Sequence, residues 1–77
     1  MKQKIIKILT DIRPEFDFNS DVNFIDQGML DSFDIVSLVV GLDNEFGISI
    51  DGMDIVPDNF ASVDKISELL KGKGVQE

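Results

Sequence analysis

Cysteine and histidine are both absent from these 77 residues. Without Cys there is no disulfide framework and no thiolate nucleophile, and without His no side chain has an ordinary pKa near neutrality. The usual means of nucleophilic, acid–base and zinc chemistry are therefore missing. Carboxylates alone remain, in a chain too short to enclose a substrate easily while also burying a core, so a non-enzyme is expected. No apolar run reaches the roughly 18 residues that cross a bilayer. The start Met1-Lys2-Gln3-Lys4 leads into a helical pattern rather than a secretion signal, so a soluble, cytoplasmic protein is expected without membrane insertion.

Basic residues are missing from the middle of the chain. Between Pro14 and Asp64 there is no Lys or Arg, while the same stretch carries acids from Glu15 through Asp31, Asp34, Asp43 and Asp51 to Asp64. The net charge is −8, and the seven basic residues lie near the two ends. Phosphate backbones and anionic lipid heads are bound through Lys and Arg, so neither nucleic acid nor a membrane surface suits this middle, whereas a basic protein surface does. Solubility alone is a competing reason for an acidic surface. The abundant Asp residues nowhere fit the calcium-loop pattern of alternating acids with Gly at the sixth and Glu at the twelfth place, and no metal site is expected.

What is present is helical periodicity. The apolar share, 43%, supports a packed globule, and the length supports one domain over residues 1–77. Ile5, Ile8, Leu9 and Ile12 form one stripe of a helix from Lys2 to Arg13, which Pro14 ends. Glu15 to Leu30 reads as a long connection pinned to the bundle by some of Phe16, Phe18, Val22, Phe24 and Ile25. A second helix runs from Ser32 to Phe46, capped by Asp31 or Ser32, favoured by Asp34 in its first turn and stopped at Gly47. Ile48 to Phe60, with Gly52 and Pro57, allows a short helix or turn at most. Ser62 caps a last helix with Val63, Ile66, Leu69 and Leu70 on one stripe, ending at Gly72, and residues 72–77 read as a flexible tail. Three main helices and one short one predict an all-α, small four-helix bundle.

The second helix has more apolar residues than one buried face needs. At about 100° per residue, Ile35, Leu38, Val39, Leu42 and Phe46 gather on one side, and Asp34, Ser37, Gly41 and Glu45 gather opposite as a solvated face. Phe33, Val36 and Val40 form a second ridge, bordered by Ser32 and Asp43. Either Phe18, Phe24 or Phe60 covers this ridge, or it is a docking surface with Asp31 and Asp43 at its edge. Periodicity leaves the two even.

The run Gly28-Met29-Leu30-Asp31-Ser32-Phe33-Asp34-Ile35-Val36 resembles the phosphopantetheine attachment motif of acyl and peptidyl carrier proteins. Asp-Ser by itself is a weak signal, and by residue type alone Ser32 is more commonly a helix cap. The match extends, however, through Asp43-Asn44-Glu45-Phe46-Gly47 and Pro57-Asp58-Asn59-Phe60-Ala61-Ser62-Val63, covering about Phe24 to Leu70. The resemblance implies an acyl-carrier-like fold and a covalent 4'-phosphopantetheine from coenzyme A on Ser32 beside Asp31, holding acyl or aminoacyl groups as thioesters. It also implies partner contacts at Phe33, Val36, Val40 and Asp43. The partners would be a phosphopantetheinyl transferase, an acyl- or aminoacyl-loading ligase or adenylating enzyme, and a downstream acyltransferase or synthase, with the carrier itself a monomer. A phosphodiester at Ser32 would lie at a helix start, where backbone N–H groups favour an anion.

Two departures bear on the pathway. Ser37 and Asn44 stand where fatty-acid-synthesis carriers often have Glu, and Phe33 replaces a common Leu. The Pro57-Asp58-Asn59-Phe60 run resembles stand-alone aminoacyl or peptidyl carriers of nonribosomal-peptide type, D-alanyl carriers included. The resemblance also implies that Ile50, Met53, Ile55 and Phe60 part to shelter a bound chain. The rival function is an acidic helical interaction module without a prosthetic group, presenting the same ridge to a basic partner.

Overall fold

A computed structural model describes residues 1–19 and 22–76; Ser20, Asp21 and Glu77 lie outside the described residues. It is all-α. Helix α1 is Lys2–Ile12, α2 is Ser32–Phe46 and α3 is Val63–Gly72, with 3-10 turns at Gly52–Asp54 and Pro57–Phe60. Among the described residues there is no strand, and no helix is long and apolar enough to cross a membrane.

Helix α1 ends one residue earlier than its pattern predicts. Arg13 has φ −133° and ψ 80°, outside the helical region, as expected for a residue whose successor is proline. Proline also explains why the expected short helix forms as two separate turns. Val56, just before Pro57, is held extended at φ −124° and ψ 147°, so helical geometry cannot pass through it.

The core is filled by Ile5 and Leu9 of α1, Leu38 and Leu42 of α2, Ile66 and Leu70 of α3, and three phenylalanines from the connections, Phe18, Phe24 and Phe60. Burying a phenylalanine stabilises by about 1.5–3 kcal/mol, and here two of the three come from the loop between α1 and α2. Phe18 and Phe24 meet edge to face with centroids 5.0 Å apart. The Phe24 N–H donates to the Ala61 carbonyl at 2.7 Å, fastening the loop to the start of α3. The loop is pinned as predicted, but Val22 takes no part in this and is exposed.

Two packing details depart from the sequence reading. Gly41 was grouped with the solvated face of α2, yet a Cβ there would lie 2.9 Å from Ile8 Cγ2, so α1 crosses α2 at this point. At the other end of the molecule the chain does not leave the bundle at Gly72. The stop is Gly74, with φ +91°: its N–H donates to Lys71 O, and Val75 N–H donates to Leu70 O. This 5→2 and 6→1 pair is a Schellman ending. Val75 packs on the core, and Lys73 forms ion pairs with Asp51 at 3.3 Å and Asp54 at 2.5 Å. The segment read as a tail is thus held by Val75 to the core and by Lys73 to the first 3-10 turn.

Candidate functional site

The approach to α2 is a series of backbone fastenings. Asn23 Oδ1 accepts from the N–H groups of Ile25 and Asp26 at 3.0 and 2.9 Å, and Phe24 O accepts from Met29 N–H at 2.8 Å. Gly28 reverses the chain at φ +69°, a conformation in which a side chain is strained. Met29 and Leu30 then drop into the core, which fixes where Asp31 must begin the helix.

Asp31, rather than Ser32, is the cap. It is extended, its Oδ1 accepts from Asp34 N–H at 2.9 Å, and Asp34 Oδ2 accepts from Asp31 N–H at 3.0 Å. This is a capping box with Asp in the third helical position instead of the usual Glu or Gln. Ser32 is therefore the first helical residue, exposed, with its hydroxyl left out of the cap.

Arg13 closes the box from α1. Its Nε donates to Asp34 Oδ2 at 2.8 Å, one Nη lies 3.4 Å from Asp31 Oδ2 and the other lies 3.4 Å from Glu15 Oε2. The hydrogen bond to Asp34 holds the guanidinium pKa above its usual value. Asp31 is held below the ordinary carboxylate value, chiefly by the Asp34 N–H bond and, after partial desolvation opposes it, by the Arg13 charge. Asp34, read from periodicity as solvated, is buried against this arginine. Sequence reasoning missed Arg13; its one signal was position, as the last basic residue before the long stretch without any.

The second ridge of α2 is uncovered. Phe33 is 84% exposed, Val36 58% and Val40 54%, at spacings of three and four that place them on one helix face. Phe18, Phe24 and Phe60, the candidates to cover it, are all in the core. Asp43 is half-buried and has a structural task as well: its Oδ1 accepts from Ile50 N–H at 3.0 Å, anchoring the chain as it leaves α2. Ile50, Met53, Ile55 and Phe60 do not form one sheltering cluster. Ile50 and Phe60 are core, Ile55 is partly exposed, and Met53, expected near the centre, is 92% exposed.

A small helical bundle with an exposed serine one step past an aspartate cap, beside an uncovered apolar ridge, has the form of a carrier that presents a group to other proteins. The family model for the phosphopantetheine attachment site matches residues 3–70 of the chain. The chain is 31% identical over 74 residues to the D-alanyl carrier protein of Bacillus velezensis, covering 88% of this chain and 95% of that relative. It is 29% identical over 72 residues to the D-alanyl carrier protein of Staphylococcus xylosus, covering 91% and 92%. No solved structure matches. The chain belongs to the phosphopantetheine-attachment family of carrier proteins. It is a carrier and not an enzyme, its prosthetic group is a covalently attached 4'-phosphopantetheine, and carriers of this kind work with a phosphopantetheinyl transferase and with ligase or synthase partners.

Proposed function

We propose that Ser32 is the attachment residue, that Phe33, Val36 and Val40, edged by Asp31 and Asp43, are the surface on which partner enzymes dock, and that the cargo is an aminoacyl group. The observation that carries the reading is the division of labour at the helix start. Because Asp31 makes the cap, the Ser32 hydroxyl is exposed and unused, at a helix N-terminus that favours the negative charge of a phosphodiester. In the step that installs the arm, the Ser32 hydroxyl gives its proton to a base of the transferase and its Oγ bonds to the phosphorus next to the pantetheine in coenzyme A. The P–O bond to the remaining nucleotide breaks, and adenosine 3',5'-bisphosphate leaves. Once in place, the arm supplies the thiol that this Cys-free chain lacks.

An aminoacyl cargo, D-alanine in particular, is supported by the names of both relatives and by the Pro57-Asp58-Asn59-Phe60 run. The filled core points the same way: Phe18, Phe24 and Phe60 are buried, and a long acyl chain would have to displace them to be sheltered. On this reading the chain acts in the cytoplasm as one monomeric carrier domain. It takes its cargo from an adenylating ligase and passes it to an acyltransferase.

Intact mass tests the proposal. Incubation with a phosphopantetheinyl transferase and coenzyme A should add one phosphopantetheine to the wild type and none to Ser32→Ala. The loaded protein should then accept D-alanine from a D-alanine-activating ligase and ATP, and not a long fatty acyl group from a fatty acyl ligase. An adduct on Ser32→Ala would refute the site, fatty acylation alone would refute the cargo, and no adduct at all would favour a ridge that binds partners without a prosthetic group.

A further inference from the structure

The attachment turn has an electrostatic difficulty. Ser32 is flanked by Asp31 and Asp34, whose carboxylates are tied into one box, and the residue between them must accept a phosphodiester, a third negative group. Across the segment from Pro14 to Asp64 there is no basic residue to offset them. The cation comes instead from the end of α1, where Arg13 reaches both carboxylates, with Nε 2.8 Å from Asp34 and Nη 3.4 Å from Asp31. Pro14 has a part in this. By ending the helix it puts Arg13 in the non-helical conformation, φ −133° and ψ 80°, from which it turns to α2.

We infer that Arg13 is the positioning residue of the attachment turn: it fixes the Asp31–Asp34 box and offsets its charge, so that Ser32 can accept an anionic group between two carboxylates. This rests on the reading of Ser32 as the attachment residue. The guanidinium is suited to the task because its planar fork engages several carboxylates in fixed directions, which a lysine ammonium cannot do. Asp34 gives the contact its weight, since a buried carboxylate that loses its cation is left uncompensated.

The inference is tested by steady-state kinetics of phosphopantetheine transfer, with the carrier as varied substrate, at a temperature where circular dichroism shows every variant folded. A contribution to stability alone then leaves the rates untouched. Arg13→Gln should lower kcat about tenfold, equivalent to about 1.4 kcal/mol of lost transition-state stabilisation. KM should change little, because the docking ridge is intact. Arg13→Lys should regain only part of the rate, because it restores the charge but not the fork, and Asp34→Asn introduced into Arg13→Gln should also regain part of it by removing the charge that needed offsetting. Lys7→Gln removes the same charge from the outer side of the same helix and should behave as wild type.

Wild-type kinetics for Arg13→Gln would overturn the inference, as would a lysine variant as slow as the glutamine one, a double variant with no recovery, or an equal loss in Lys7→Gln. Failure of the wild type to be modified at Ser32 would instead overturn the underlying assignment of the attachment residue, so the two failures are distinct.

Discussion

Ser32 and Ser62 stand at the starts of α2 and α3, each following a bend in the chain and each leading into an apolar stripe. Ser62 lies outside its helix, extended, and its hydroxyl accepts from Lys65 N–H at 3.1 Å. Ser32 lies one position further in, because the preceding Asp31 already satisfies that end of its helix. The outer faces differ in the same sense. That of α3 carries Asp64, Lys65, Glu68 and Lys71, all charged and exposed, whereas that of α2 carries Phe33, Val36 and Val40. The same residue type is thus structural in one helix and available for chemistry in the other, and the neighbour on its N-terminal side decides which. The difference in faces has a thermodynamic side too. Exposed apolar surface gains nothing in the free molecule, and its hydrophobic stabilisation appears when a partner covers it.

The strongest way to break this comparison is to make the outer face of α2 resemble that of α3. Val40→Asp places a charge on the ridge, between Val36 and Asp43, at a site already half open to solvent, so the variant should fold. Its loading by the transferase should fall by about tenfold or more, since an unpaired charge in a contact centre costs several times RT. A folded variant loaded at the wild-type rate would show that the ridge takes no part in docking.

Exchanging the roles of the serines has a smaller expected effect and sharpens the distinction. Ser62→Ala should cost about 1 kcal/mol of stability, the usual size for a lost cap, and leave loading unchanged. Ser32→Ala should change stability by less than about 0.5 kcal/mol, because the cap is elsewhere and Ala is a good helix former. Urea unfolding of both variants checks this, and equal losses would mean that the two serines are alike after all.

The smallest effect is in acid. Asp31 has its pKa lowered in the folded protein, so its contribution is complete above the unfolded value of 3.8 and is lost as the pH falls through the lower folded value. Asn caps nearly as well as Asp but does not titrate. Asp31→Asn should therefore unfold in urea with a shallower pH dependence than the wild type below about pH 4, and with the same dependence above it. Parallel curves throughout would show that the Asp31 charge is no better satisfied folded than unfolded.

Much of this was legible in the sequence because it is local. The limits of α2, its stop at Gly47 and the Ser62 cap each follow from a few adjacent residues, and they are found as read. The ridge of Phe33, Val36 and Val40 was visible too, although only the packed structure could show that no phenylalanine covers it. What failed to show was long-range. Helical periodicity puts Asp34 and Gly41 on a polar face, and nothing in that count says that α1 lies against it, bringing Arg13 to Asp34 across 21 residues of sequence. The last helix ends at Gly72 as read, but the course of the chain after it was missed for a different reason. It is set by Val75 finding the core and Lys73 finding Asp51 and Asp54.

The crossing at Gly41 and Ile8 bears on how this chain can vary among descendants. An added methyl at position 41 would meet Ile8 Cγ2 at 2.9 Å, and that atom is on a β-branched side chain with little freedom to turn aside inside a helix. Neither helix can move far, because α1 also packs against α3 and its other flank holds Arg13 to the box at Ser32. Positions 8 and 41 therefore form a single inherited character. A lineage that gains a side chain at 41 must first lose bulk at 8, so a library that randomises position 41 alone will recover little but glycine, whereas smaller residues at 8 meet no such clash.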